Sequence, residues 1–356
     1  MSRELLPLDQ LDEKREQRLD DLRDEAQRHG TVPTPGIRPV GAPFPQASPE
    51  TGYYGIPLLK PPAWTWEVPL YFFVGGAAGA AAVIGAVADY SGANRKLVRD
   101  ARWIAATGSV LSPVLLITDL GRPSRFLSML RVFKPQSVMS VGVWALVAFC
   151  TAASATAFAE FIRSRYGSSL PVRILENAGQ AASLALGLPF SNYTGVLIGA
   201  TVIPAWNENA GNLPVHFAAS GVGAAVGLLE LMGNHKSRAL QTLGMGAALL
   251  ECCEGLHLER RTQSSLKPIK QGRSGWAVRA GGILSGPVPA LLRLVSMVSR
   301  ERGQACRKWA SVSSILGSLI TRAAWIHVGR ASARDWREPL QLNAVSDGSS
   351  RYPSRK

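Results

Sequence analysis

The sequence predicts an all-α fold, a polytopic membrane bundle of about eight transmembrane helices. Three observations carry that prediction. Of 356 residues, 46% are hydrophobic and 18% charged, and the two kinds are segregated into apolar blocks and charged connections. Each apolar block approaches the roughly 20 residues that a helix needs to cross a bilayer core of about 30 Å. Proline, glycine and charge punctuate the gaps between blocks, where a helix would have to stop. The net charge of +14 lies in the connections and the tail. Lipid phosphates and the bias of basic loops explain it, and no nucleic-acid-binding signature accompanies it.

Residues 1–63 read as a polar N-terminal tail. The first 31 are charged throughout, with Leu8, Leu11, Leu19 and Leu22 as a sparse helical stripe on an otherwise solvated segment. Residues 32–63 are rich in Pro and Gly and read as an extended, polyproline-like linker. No apolar run precedes residue 66, so the first membrane helix is expected to act as its own insertion signal. Tyr53, Tyr54, Trp64 and Trp66 precede that helix as an interfacial belt would.

The helical domain spans residues 64–329. Helix 1 is expected over about 66–88, with Gly75 and Gly79 one turn apart as a packing face. Helix 2 covers about 101–118 and helix 3 about 138–161. The stretch from Asn177 to Trp206 carries no charge and is too long for one untilted span, so helix 4 is expected to kink or unwind at Pro189. Helices 5 to 8 are expected over about 213–231, 239–258, 276–299 and 309–328, followed by a basic tail over 330–356. Basic clusters lie on both sets of connections. The 4–5 loop, AWNENAGN, lacks Lys and Arg and tips the balance towards an N-out arrangement.

Charged side chains inside spans are expensive, about 2.5–3.5 kcal/mol each at a helix centre on insertion scales, and so mark places of interest. One group gathers at the level of the 2–3 loop: Trp66, Glu67, Tyr71, Asp119, Arg122, Asn207 and His216. Asp119 and Arg122, three residues apart, are expected to pair. These residue types suit a quinone, which needs apolar walls, donors to its oxygens and an acid or base for its protons. They equally suit a capped and braced helix end with His216 packed on a carbonyl. A second group holds Glu230, Glu251, Glu254, Arg279, Arg293 and Arg322. It reads either as a proton relay or as structural pairs bracing helices 5 to 8.

Metal chemistry on this protein is not expected. Cys150, Cys252, Cys253 and Cys306 contain no CxxC and no cluster spacing, so any iron–sulfur carrier belongs on another polypeptide. His216, His257 and His327 do not form two facing pairs at different depths, as a two-haem protein would need.

The 2–3 connection, DLGRPSRFLSMLRVFKPQSVMSVGVW, resembles the NrfD/PsrC family of quinol-handling membrane subunits. The likeness extends to YYGIPLLKPPAWTWEVPLYFFVGG, SNYTGVLIGATVIPAWN, LPVHFAASGVGAAVG and TRAAWIHVGRASARD, from about Tyr53 to Trp336. It implies a bundle of eight or nine helices in a bacterial inner membrane. It also implies exchange of electrons between menaquinone or ubiquinone and a ferredoxin-like iron–sulfur subunit, which serves a molybdopterin enzyme or a multihaem cytochrome. It implies a quinol site between the start of helix 1 and neighbouring helix ends, with Asp119, Arg122 and His216 in its polar cluster. Tyr71 and Val68 stand where some relatives have His and Asn, so contacts there would differ. Arg125, Arg131 and Lys134 of the same loop are the expected dock for the iron–sulfur subunit. The alternatives from other classes are a proton-coupled transporter, which a broken helix 4 and buried Glu/Arg pairs would suit, and a passive anchor.

Overall fold

A computed structural model describes residues 17–21, 24, 59–261, 267–299 and 303–335. The protein divides into two compact units, Met1–Ile56 and Pro57–Lys356. In the first, residues 17–21 and 24 are helical and exposed. Residues 32–58 of the linker expected over 32–63, the belt residues Tyr53 and Tyr54, and the basic tail beyond 335 lie outside the described residues.

The second unit is all-α among the described residues. Its helices are α1 (Glu67–Tyr90), α2 (Arg95–Asp119), the short α3 (Arg125–Met129), α4 (Val138–Tyr166), α5 (Leu170–Gly199) and the short α6 (Pro204–Asn207). They continue with α7 (Leu213–Leu229), prolonged by a π-turn over Glu230–Asn234, and α8 (Arg238–Arg260). The short α9 (Lys267–Lys270), then α10 (Gly272–Ser285), α11 (Pro287–Val298) and α12 (Gly303–Arg334) complete it. Among the described residues, six stretches are long and apolar enough to cross a membrane: α1, α2, α4, α5, α7 with its π-turn, and Gly272–Val298. The protein is a multi-pass membrane protein.

Starts and stops follow from particular residues. Asn94, Ser137 and Ser237 cap α2, α4 and α8 by accepting from the amides of Lys96, Ser140 and Leu240. Gly167, at φ 86°, ends α4 in a conformation that a side chain would disfavour. The helices form two groups. One packs α1, α2, α4 and α5; the other packs α7, α8, α10–α11 and α12, and α7 touches both α1 and α5. Small residues permit the closest approaches. A Cβ at Gly79 would stand 2.7 Å from the Gly187 carbonyl oxygen, and one at Gly75 would stand 3.2 Å from the Phe190 ring. The expected packing face of α1 is therefore the one that meets α5.

One expectation is corrected, and a break appears elsewhere. Pro189 does not unwind its helix; α5 runs through it without a break. The missing amide frees the Ala185 carbonyl four residues earlier, which a packed membrane helix tolerates. The break falls instead in the seventh segment, at Gly286 (φ −108°, ψ −89°), with Pro287 opening α11. There proline sits at a first helical position, where its missing amide costs nothing.

Arg322 of α12 lies at the seam between the groups, 0% exposed. It donates to Phe72 O of α1 at 2.8 Å, to Phe217 O and Ser220 Oγ of α7 at 3.0 and 2.6 Å, and to Ser318 Oγ at 2.8 Å. Gly76 leaves space for the guanidinium; a Cβ there would overlap Nη2. Gly76→Ala is therefore expected to lower stability by about 1–3 kcal/mol through overpacking. Gly246→Ala, whose Cβ meets open space, should be neutral or slightly stabilising. Thermal unfolding of both variants in one detergent checks the contrast.

Candidate functional site

A cavity of about 110 Å³ lies where the start of α1, the end of α2, the start of α4 and the end of α5 converge. Tyr71 and Val68 line it from α1, Asp119 and Leu116 from α2, Met139 and Gly142 from α4, and Tyr193 from α5. Trp64, just before α1, closes one side. Its ring stacks on Trp206 at 5.7 Å and 16°. Trp206 in turn donates from Nε1 to Trp325 O at 2.8 Å, and Arg330 at the end of α12 donates to the carbonyls of Pro62 and Trp64. The cavity wall is thus braced by both helix groups.

Asp119 is held from outside the cavity. Its Oδ1 accepts from Thr65 N at 3.1 Å and Thr65 Oγ at 2.8 Å. The same hydroxyl lies against Glu67 Oε2. A hydroxyl has one proton to give, so it serves one of these two carboxylates at a time. Across the cavity Tyr193 donates to Val138 O, and Gly142 is what leaves room for its ring. One carboxylate and two phenols therefore face an apolar slot: the carboxylate can accept a proton, Tyr71 can donate a hydrogen bond, and Tyr193, whose proton goes to Val138 O, can accept one and flank a flat ring.

The structure brings together only part of the set expected from sequence. Tyr71 and Asp119 share the cavity, and Glu67 reaches Asp119 through Thr65. Trp66 is 67% exposed, and Trp64, two residues earlier, takes the lining position. Arg122 is exposed and forms no ion pair with Asp119 among the described residues; the two Thr65 bonds take its place. Asn207 turns away and donates to Thr201 O at 3.1 Å. His216 lines a different cavity, where its Nδ1 stands 3.4 Å from Glu251 Oε1. Tyr193, Trp64 and Thr65 are site residues that the sequence reading does not single out. Tyr193 carries a signal, a tyrosine one turn after Pro189 in an uncharged run, but that stretch reads as a helix break. Arg125, Arg131 and Lys134 lie exposed on the loop around α3, beside exposed Leu127, Val132 and Phe133.

The expected relay set also divides. Arg293 grips Glu230 with both nitrogens, at 2.7 and 2.8 Å, and Ser311 donates to the same carboxylate at 2.6 Å. Gly244 leaves the space for that guanidinium. Glu251 sits elsewhere, accepting from Ser285 Oγ at 2.7 Å, and Arg279 pairs with Glu259 at 2.8 Å. At the opposite end of the first group, Arg102 meets Asp89, Glu160, Glu176 and Gln180, with Arg95 and Arg163 alongside. The sequence does not announce this network.

The family model described as polysulphide reductase, NrfD, matches residues 59–243. The protein belongs to the NrfD family. The match spans the whole of the first helix group and every residue of the Asp119 cavity, and it ends near the start of α8. The protein is also similar to the C subunit of polysulfide reductase from Wolinella succinogenes, at 26% identity over 194 residues. That alignment covers 48% of the present sequence and 58% of the relative, so the match spans little more than half of that relative's length.

The Glu230–Arg293 pair generates a stability prediction. Glu230→Gln or Arg293→Met alone should cost about 3–5 kcal/mol, because each leaves a buried charge without its partner. Replacing both by Met should recover most of that loss. Unfolding midpoints of the three proteins in the same detergent check it, and a loss in the double variant equal to the sum of the two single losses would deny the coupling.

Proposed function

We propose that this NrfD-family protein is the membrane subunit of a respiratory oxidoreductase complex. It exchanges electrons between the membrane quinone pool and a peripheral iron–sulfur subunit. The observation that carries this reading is the Asp119 cavity, an apolar slot at the helix ends with one carboxylate and two phenols facing in. Family membership and the likeness to a polysulfide reductase subunit support it. The quinone, menaquinone or ubiquinone, would lie with its ring between Tyr71, Tyr193 and Val68 and its tail towards lipid. The iron–sulfur subunit, ferredoxin-like and serving a molybdopterin enzyme or multihaem cytochrome, would dock on the exposed loop around α3. The membrane would be the bacterial inner membrane.

Oxidation of a quinol releases two protons and two electrons. Asp119, held by Thr65, is positioned to accept the first proton, while Tyr71 donates a hydrogen bond to a ring oxygen. The electrons leave through the docked iron–sulfur subunit. His216 takes no part at this cavity. The transporter alternative leans on a broken fourth helix and on buried Glu/Arg pairs; the helix is continuous, and the buried Glu230–Arg293 pair is present.

Asp119→Asn keeps the size and removes the base. It is expected to lower quinol-dependent turnover of the assembled complex by about a hundredfold or more, within the range for loss of a general base, with artificial-donor activity near wild type. Both activities measured on one preparation decide it, and normal quinol oxidation would leave Asp119 a helix-end brace.

Docking has its own test. Charge reversal at both Arg125 and Arg131 is expected to release the iron–sulfur subunit from membranes while the helical bundle stays inserted. Co-purification reads this directly, and an intact complex would move the dock away from this loop.

A further inference from the structure

A cavity of about 510 Å³, larger than the Asp119 cavity, lies in the second helix group between α7, α8, α10 and α12. Apart from His216 and its neighbours at the start of α7, its walls lie beyond residue 243, outside the span that the family model matches. Its volume is that of an ordinary ligand pocket. We propose that it is a second site for a lipid-soluble quinol, separate from the Asp119 cavity.

Three buried polar atoms at its inner end carry the proposal. Glu251, only 2% exposed, uses one carboxylate oxygen to accept from Ser285, and its Oε1 has no hydrogen-bond partner. Trp325, 3% exposed, points an Nε1–H that also has none. His216 Nδ1 is the third, close to Glu251 Oε1 but not aligned to bond with it. Buried polar groups normally find partners, and leaving one unmet costs free energy. A donor, an acceptor and an imidazole nitrogen left open together suit one hydroxyl oxygen, which both donates and accepts.

The outer end repeats the chemistry. Glu254 and His257 line the cavity one turn further along α8. Side chains three apart on a helix stand about 5–6 Å from each other at Cβ. Glu251 and Glu254 are thus spaced to meet two oxygens on opposite sides of one ring. Between these ends the walls are apolar, including Leu213, Ile269 and Val278. Leu256 and Ile283 at the edge are 59% and 52% exposed on helix faces turned outward, so the ligand would enter from the bilayer. The break at Gly286 serves the same cavity. It seats Gly286 beside Cys252, where a Cβ would lie 3.1 Å from the Cys252 amide nitrogen, and brings Pro287 into the wall.

The test counts sites. Wild-type protein in lipid nanodiscs would be titrated with a short-tailed naphthoquinol, and bound molecules per protein measured by equilibrium dialysis. Two sites are expected. Ile283→Trp blocks the mouth of this cavity and should leave one; Met139→Trp blocks the Asp119 cavity and should also leave one. Trp325→Phe keeps the ring and removes the N–H, so it should weaken one site about tenfold, and it serves if Ile283→Trp does not fold. A single wild-type site untouched by Ile283→Trp and Trp325→Phe overturns the proposal and leaves the Asp119 reading standing. A single site lost in Ile283→Trp but kept in Met139→Trp supports this cavity and overturns the Asp119 assignment. No bound quinol in wild type overturns both.

Discussion

The bundle is tied together at Arg322. A guanidinium with no exposed surface has to satisfy its donors inside the protein, because neither water nor lipid can. Here no carboxylate lies within ion-pair distance among the described residues, and the partners are three backbone carbonyls and two hydroxyls from three helices. The Phe72 carbonyl is reached by crossing the seam between helix groups, and the Phe217 carbonyl lies on α7 within the group of Arg322, so α1, α7 and α12 are fixed to one point. That constraint explains the glycines around it. Gly76 makes room for the guanidinium, and a Cβ at Gly221 would stand 3.0 Å from Gly76 O. It also links the two cavities. Phe72 lines the smaller one, while Trp325, one turn beyond Arg322, lines the larger.

Other buried charges follow a different rule. Glu230 and Arg293 cancel each other, and at the far end Asp89, Glu160 and Glu176 meet Arg95, Arg102 and Arg163. Acid and base are drawn mostly from different helices, and removing one partner would strand the other. Glu251 stands apart. It has no guanidinium or ammonium partner among the described residues, only an imidazole at 3.4 Å, and one of its oxygens remains unbonded. Arg322 is unpaired by charge but saturated by hydrogen bonds, which is what a structural anchor requires. Glu251 is neither, which is what a ligand-facing group would show.

Much of this architecture was legible in the sequence, and the failures share a cause. Apolar runs and their punctuation located all eight long segments, because backbone satisfaction in lipid leaves few alternatives to helices. Tyr71 and Asp119 were legible as members of one cluster because each lies near a helix end at the same depth. Depth, however, says nothing of direction around the bundle. His216 lies early in α7, at the depth of Asp119, yet faces α8 and α10. Asn207 and Arg122 share that depth and face away. The Arg102 network hid for a related reason: helix 2 is expected only from about 101 whereas it begins at Arg95, and the acids that neutralise its first turns come from α1, α4 and α5. The two prolines show how context decides. Pro189 sits mid-helix in a packed segment and is absorbed, whereas Pro287 follows a glycine and opens a new helix.

Polarity also explains why α8 and α12 fall short of the apolarity of a membrane span although both are long. In α12 the polar side chains point inward: Ser311, Ser314, Ser318, Thr321 and Arg322 are all buried. Small hydroxyl-bearing residues on an interface let helices approach and bond across it, so a low mean hydropathy there reflects packing against other helices. A separate contact relates the two ends of the bundle. Arg330, in the last turns of α12, donates to the carbonyls of Pro62 and Trp64 just before α1. The first and last long helices therefore meet at one end of the bundle. If each of the eight long segments crosses once, with α10 and α11 counted together, the start of α1 and the end of α12 fall on one side, as that meeting requires. The same count sets the start of α1, the end of α2, the start of α7 and the end of α8 on one side, which is where both cavities and the exposed basic loop lie.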